Sequence, residues 1–430
     1  ASFALPLAIP VAHRLIKGAR PIFDGTFALM SVYLLILLVS AFGAVDWRVA
    51  ALQIATYVAE GLALYWLLVQ AIRTRTVLRC VMWTVVLTGA LLGSLSLYQQ
   101  VTGDYATQFG GLAQRQLRHD IAAAQVAAEG TDFFNVGVKS GTPIKASHRA
   151  AGPFGDPNRF AQILLVALPW AVFLAYRSKA RYARVMARLT GAIILAGIGV
   201  TYSRGAFLTI ALLLVGLSFL RLVRPMRIVA GAAVAALVVL AFAPNYVKRM
   251  GTILDTTAIV SDRAGVNPDG AIKGRATEVL AALWVFADHP FLGVGPGQYV
   301  PFYSQSYQQR AEIKFRQLSV PREAHNLYVS IAAETGVVGL LVFLAIFISL
   351  IVRLTRARHY WLDRDSELAY LAIALQFSLF AYLGTGVFLH MAYERYQALL
   401  LGVVGAALQI MHMEMMRRRA VSGGDPVRAE

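Results

Sequence analysis

An all-α polytopic membrane protein is the fold class this sequence predicts, on three observations. Of 430 residues, 58% are hydrophobic and only 15% charged, whereas an ordinary soluble domain carries roughly a quarter charged residues. The mean hydropathy is +0.60. Apolar runs long enough to cross a bilayer recur along the chain, and a crossing segment must satisfy its backbone internally, as an α-helix does. The same figures exclude a soluble globular enzyme, a disordered chain and a fibrous protein. One cysteine, Cys80, leaves no intramolecular disulfide framework and no multi-cysteine metal site.

Taken in order, spans are expected over residues 26–42, 49–70, 77–98, 160–176, 189–201, 206–220, 228–243, 327–352, 368–389 and 396–412. The apolar stretch 2–12 is too short to cross and is interrupted by Pro6 and Pro10; it is a lead-in or part of a further helix. No basic run precedes it, so no cleavable leader is expected.

Charge orients the spans. Arg14, Lys17 and Arg20 precede the first; Arg73, Arg75 and Arg79 follow the second. Arg177 to Arg188, Arg221 to Arg227, Arg353 to Arg364 and Arg417 to Arg419 then recur after every second span. Arg-rich short connections stay in the cytoplasm, which puts both termini there. The chain then divides into a membrane region 1–243 holding an outer loop 99–159, a large outer loop 244–326, membrane helices 327–416 and a basic tail 417–430. In the large loop, 274–288 reads as a helix with an apolar stripe of Val279, Leu280, Leu283, Trp284 and Ala287. Residues 302–318 read as a polar helix, and a loop of this length is typically a functional lid.

The outer side collects an unusual set of residues. Arg149 and Arg159 flank Gly-Pro-Phe-Gly-Asp-Pro-Asn158, and Tyr-Ser-Arg204-Gly splits an apolar stretch. Arg275 opens the lid helix and His325-Asn326 opens the next span. In a single unbroken helix, Arg204 would lie mid-membrane at a cost of at least ~2.5 kcal/mol; a tight outer turn places it at the surface. Each residue also has a plainer reading. Arg149 and Arg159 suit interface charges, Asp156-Pro-Asn158 a helix cap, Arg275 a partner for Glu278 or Asp288, and His325 a structural hydrogen bonder. Gly293-Val-Gly295-Pro-Gly297 lacks the Lys-Ser/Thr of a phosphate loop and is expected to be a turn. Asp363-Arg364-Asp365 resembles a metal-sugar motif but falls on the cytoplasmic side. The outer loops show no metal-ligand spacing; Asp255, Asp262 and Asp288 are scattered.

Several arginines and one histidine at an outer face suit an anionic, membrane-borne substrate, because Arg binds phosphate through two N–H groups and keeps its charge. A sugar leaving a lipid pyrophosphate needs charge stabilisation on the leaving side and a base for the attacking hydroxyl. Arg and His suffice, without a metal. Nearby arginines, and the helix N-terminus at Asn326–Leu327, are expected to help keep the His325 ring neutral by disfavouring the imidazolium.

The order Arg149…Gly-Pro-Phe-Gly-Asp-Pro-Asn158, Tyr-Ser-Arg204-Gly, Gly-Arg275…Pro290-Phe-Leu-Gly-Val-Gly-Pro-Gly297 and His325-Asn-Leu-Tyr…Glu334-Thr-Gly336 resembles the bacterial O-antigen ligase and polymerase superfamily over residues 149–340. The resemblance implies a multi-pass inner-membrane glycosyltransferase of the GT-C type, with an essential His matching His325 and essential Arg matching Arg204 and Arg275. It implies a glycan on undecaprenyl pyrophosphate as donor. Arg149, Arg159, Asn158 and Asn326 are the further substrate-binding candidates. Lipid A–core is the expected acceptor, which the +17 net charge supports through its phosphates; membrane lipids are expected neighbours, and no cofactor, metal or nucleic acid is expected. An O-antigen polymerase or protein-directed O-oligosaccharyltransferase would use the same donor. A lipid-linked glycan transporter is the reading from another class, and would need charges deep in its spans; Glu60 stands alone there.

Overall fold

The computed structural model describes residues 5–18, 20–105, 107, 109, 149–220, 226, 270–310, 321–389 and 395–422. The expected span 228–243, most of loop 99–159, residues 244–269, 311–320 and 390–394, and the end of the basic tail lie outside them. The described helices are α1 (Leu5–Ile16), α2 (Gly25–Ser40), α3 (Trp47–Thr56), α4 (Ala63–Ala71), α5 (Arg75–Thr102), α6 (Pro157–Arg177) and α7 (Arg181–Val200). Then come α8 (Arg204–Phe219), α9 (Gly270–Asp288), α10 (Ser304–Arg310), α11 (Leu327–Trp361), α12 (Ser366–Gly386) and α13 (Arg395–Ser422). No strand occurs among the described residues. Each expected span that falls on described residues falls on a helix. Eight helical stretches are long and apolar enough to cross a membrane, and α8 is a shorter apolar helix of 16 residues. The 302–318 expectation holds through Arg310, where α10 follows a π-helical turn at Tyr299–Tyr303.

The starts of these helices are written locally. Asp24, Asp46, Thr74, Asp156, Ser203, Asn326 and Asp365 each accept a backbone N–H of the first turn that follows. Such a cap satisfies a donor that the helix itself leaves open, for roughly 0.5–2 kcal/mol. Helices α6 and α12 form the centre: 67% and 78% of their apolar windows are buried, against 33% for α2 and α5. Trp170 and Phe160 of α6, Phe347 of α11 and Tyr382 of α12 are buried in one core, with the Phe347 and Tyr382 rings stacked at 5.5 Å.

The basic connections among the described residues meet at one end of the molecule. Arg75 holds Asp365 and Glu414, each at 2.9 Å, and Arg79 holds Glu367. Arg353 reaches Asp24 at 3.5 Å, Arg14 donates to the Gln70 carbonyl, and Arg177 donates to Ser366. Burial alone would raise the Asp365 carboxyl, but the hydrogen bond and charge of Arg75 hold it below the usual carboxylate range. The Asp365 of the Asp-Arg-Asp motif is thus a helix cap and an ion-pair hub.

At the opposite end α11 kinks. Gly336 has φ 66° and ψ −169°, dividing the helix into 327–335 and 337–361. The turn after α9 folds over this kink backbone to backbone. Val337 N–H donates to the Pro290 carbonyl at 2.7 Å, Val294 N–H to Ala333 at 3.0 Å, and Gly295 N–H to Glu334 at 2.9 Å. A Cβ on Gly336 would overlap the Phe291 carbonyl, and one on Gly293 would overlap the Glu334 carbonyl. Both glycines have positive φ, so close approach and backbone hand demand the same residue. The Gly-rich motif is therefore the expected turn, and its partner is the Glu334-Thr-Gly336 segment.

The most buried face of α9 is not its apolar stripe: Ala281, Ala282 and Val285 are buried with Thr277 and Glu278, while Leu283, Trp284 and Ala287 are exposed. Small side chains let α9 approach α11 closely, which leaves the large ones facing out.

Candidate active site

The packed face of α9 carries a carboxylate. Glu278 is only 2% exposed, and burying a charge is costly unless it is paired. Its partners come from the segment that leads into α11: Arg322 Nη1 lies 3.6 Å from Oε1, and His325 Nε2 lies 3.8 Å from Oε2. The Tyr299 hydroxyl donates to the Glu278 carbonyl at 3.2 Å. Burial, then the nearby charge of Glu278, pushes that hydroxyl above its usual pKa, so it stays a donor. Arg275 lies one helical turn before Glu278, half-buried on the same side of α9.

His325 sits immediately before the α11 N-cap with φ 49°; Tyr202, two residues before Arg204, has φ 50°. Among the described residues only Phe109 shares this left-handed conformation without being glycine. It costs of order 1–3 kcal/mol per residue and concentrates at functional sites. Asn326 caps α11 through Oδ1, accepting from Tyr328 and Val329 N–H at 3.0 Å each, and its Nδ2 donates to the Val387 carbonyl at 3.0 Å. Both ends of its amide are engaged in placing His325 against the end of α12.

The arginines arrive from α6 and α8. Arg149 Nε donates to the Thr201 carbonyl at 2.9 Å and Nη2 to Asn158 Oδ1 at 3.0 Å, tying the start of α6 to the end of α7. Arg159 Nη2 stands 3.9 Å from Glu323 Oε1, two residues before His325. Arg204 opens α8 after the Ser203 cap, in the tight turn expected between two helices. Gly205 faces Phe388, next to the Val387 that holds Asn326.

The structure thus joins Arg149, Asn158, Arg159, Arg204, Arg275, His325 and Asn326 into one contiguous region at one end. The N-termini of α6, α8 and α11 open into it, adding partial positive charge. Chemically the region offers fixed cations for a phosphate and an imidazole beside a carboxylate. A carboxylate stands beside His325 as well: Glu278 lies 3.8 Å from its Nε2 and 3.6 Å from Arg322. A carboxylate there stabilises the imidazolium that forms when the ring accepts a proton.

Sequence patterning alone misses Glu278, Arg322 and Glu323 as members of the site. Glu278 reads there only as a complement to Arg275, although an acid within an apolar helix is itself a signal. Glu60, which looks isolated in its span, pairs with Arg395 at 2.5 Å from a π-helical turn at Tyr57–Leu62.

Residues 189–344 match a family model described as O-antigen ligase. That stretch contains Arg204, Arg275, Glu278, Arg322, His325 and the Gly336 kink; Arg149, Asn158 and Arg159 lie before it. No curated protein matches the chain.

Proposed function

We propose, with support from the match of residues 189–344 to a family model described as O-antigen ligase, that this chain belongs to the O-antigen ligase/polymerase superfamily and has the activity of a lipopolysaccharide O-antigen ligase. It transfers O-antigen polysaccharide from undecaprenyl pyrophosphate to a sugar hydroxyl of lipid A–core, at the periplasmic face of the bacterial inner membrane, as a GT-C-type glycosyltransferase. The observation that carries this reading is the His325–Glu278 pair set among Arg159, Arg204, Arg275 and Arg322 at the end away from the Arg-rich connections. The acceptor oxygen attacks the anomeric carbon as His325 takes its proton. The bond from that carbon to the pyrophosphate oxygen breaks, and the leaving charge falls to Arg204 and Arg275. Glu278 stabilises the imidazolium, and Arg149 and Arg159 assist in holding the donor. Attack opposite the leaving group inverts the anomeric configuration. The proton goes to His325 and the pyrophosphate leaves ionised, so no step requires a divalent metal. A polymerase or a protein O-oligosaccharyltransferase would keep the same donor chemistry and change only the acceptor.

The test is a transfer assay with the purified chain, lipid-linked O-antigen and three acceptors: lipid A–core, the donor's own glycan and a peptide. Product on lipid A–core, with inverted configuration and an unchanged rate in chelator, is expected. Product on either other acceptor alone would reassign the chain within the superfamily. A retained configuration would rule out the single displacement, and loss of activity in chelator restored by magnesium would rule out the metal-free course.

Sidedness follows from the charge pattern: termini in the cytoplasm, site in the periplasm. A cysteine at exposed Gln309, in a Cys80→Ser background, should react with an impermeant thiol reagent from the periplasmic side. Labelling at Arg181 instead of Gln309 would invert the topology.

A further inference from the structure

Helix α9 is pinned at its middle and just past its C-terminal end to the outer ends of membrane-crossing helices. At its C-terminal end the turn it feeds is held by Ser40, the last residue of α2, whose hydroxyl lies 2.5 Å from the Leu292 carbonyl and 2.9 Å from that of Glu334. At its middle Glu278 meets His325, and the adjoining Asn326 is fixed to Val387, which follows α12. The α2 stretch Gly25–Gly43 has 19 residues and α12 has 21. At 1.5 Å per residue these are about 28 and 32 Å long, the thickness of a bilayer core at ~30 Å. Their other ends carry Asp24 and Asp365 in ion pairs with Arg353 and Arg75. Both anchors therefore stand at one bilayer boundary, and the C-terminal half of α9, which lies between them, runs along that boundary.

What α9 turns outward at this level is apolar. Leu283 is 40% exposed and Trp284 51%, followed by Phe291 at 72% and Leu292 at 40%. Phe42 and Trp47, next to Ser40, are exposed at the same end of α2. Large exposed apolar side chains along a helix, with Trp among them, are the composition of the lipid interface, whereas a lid standing in water would present polar groups there.

The geometry points to α9 as an interfacial helix whose Leu283–Trp284 face is immersed in the outer-leaflet lipid. The occupant of this face is bilayer lipid, not a protein partner. The lid is then amphipathic in function as well as in composition: its lipid face sets the depth of the helix, and its opposite face holds Arg275 and Glu278 at the level of lipid headgroups. A substrate phosphate carried on a membrane lipid would meet Arg275 without leaving the membrane surface. This last consequence rests on the proposed function; the immersion itself does not.

Nitroxide labels on single cysteines test it, at Leu283, Trp284 and Phe291, with Gln309 as a water-facing reference, in the full chain with Cys80→Ser reconstituted in phosphatidylethanolamine–phosphatidylglycerol vesicles. Collision with oxygen, which concentrates in lipid, is compared with collision with a water-soluble nickel chelate. The ratio of oxygen to nickel accessibility should exceed that at Gln309 several-fold at all three α9-side positions. Nickel accessibility equal to that at Gln309 would place the face in water and overturn the proposal. An immobilised spectrum shielded from both probes would mean a second copy of the chain covers it, which also overturns it. All three positions are exposed, so labelling does not disturb the packing of α9. A negative result here would leave the transfer assay unaffected.

Discussion

His325→Ala is expected to lose roughly 10²–10⁴-fold in turnover, the contribution of a positioned general base, while binding of the lipid-linked donor survives. The separation follows from the site: the cations that hold the donor belong to other residues, whereas the proton acceptor is one imidazole 3.8 Å from a buried carboxylate. His325→Gln and His325→Asn should fall nearly as far, because they keep hydrogen bonding but supply no comparable base. The neutral ring is the working form, so the wild-type rate should decline as pH falls and the ring becomes protonated, and this limb of the profile should vanish from the residual rate of the variants. Glu278→Gln should lose less than His325→Ala and lose it in turnover more than in KM, since the carboxylate acts on charge that develops during the reaction. Initial rates over a pH series, with donor binding measured separately, check all of this. Near-normal turnover in His325→Gln and His325→Asn would reduce His325 to a structural link between the lid and α11.

The second large effect is expected at Arg204 and Arg275. A charge-assisted hydrogen bond to phosphate contributes ~1.5–3 kcal/mol, which corresponds to about 10- to 150-fold in rate when the interaction strengthens in the transition state. Arg204→Ala and Arg275→Ala should each lose activity on this scale. Arg204→Lys should also be impaired, because an ammonium cannot reproduce the two-pronged guanidinium fork. The loss should appear in turnover as well as in donor affinity if these groups stabilise the departing pyrophosphate. Full transfer activity in folded Arg204→Ala and Arg275→Ala proteins would remove both residues from the mechanism. The Asn158 Oδ1 holds Arg149, and Asn326 is engaged with the α11 cap and the Val387 carbonyl, so each also places other residues.

Much of the protein is legible in its amino-acid sequence. Hydropathy and charge act within about twenty residues, the length of one crossing, so the spans, the outer turn at Ser203–Arg204 and the Arg-rich connections follow from local composition. The caps are local too: Asp156, Ser203, Asn326 and Asp365 each bond within three residues of themselves. The suitability of Arg and His for the proposed phosphate-bearing substrate is likewise a matter of residue chemistry, readable from a string of letters.

Only the tertiary structure decides which of those residues meet. Ser40 holds the Leu292 carbonyl across 252 positions, and no local pattern encodes that partnership. The packed face of α9 differs from its apolar stripe because hydropathy ranks Leu283 and Trp284 above Ala281 and Ala282, whereas close helix approach selects for small volume. Glu278 escapes local reasoning in a related way: beside Arg275 in the sequence it reads as a surface partner, and only the fold buries it and brings Arg322 and His325 to its two oxygens. Solvation of single segments is a property of composition; the pairing of charges depends on the path of the chain, and that path fixes the chemistry of the site.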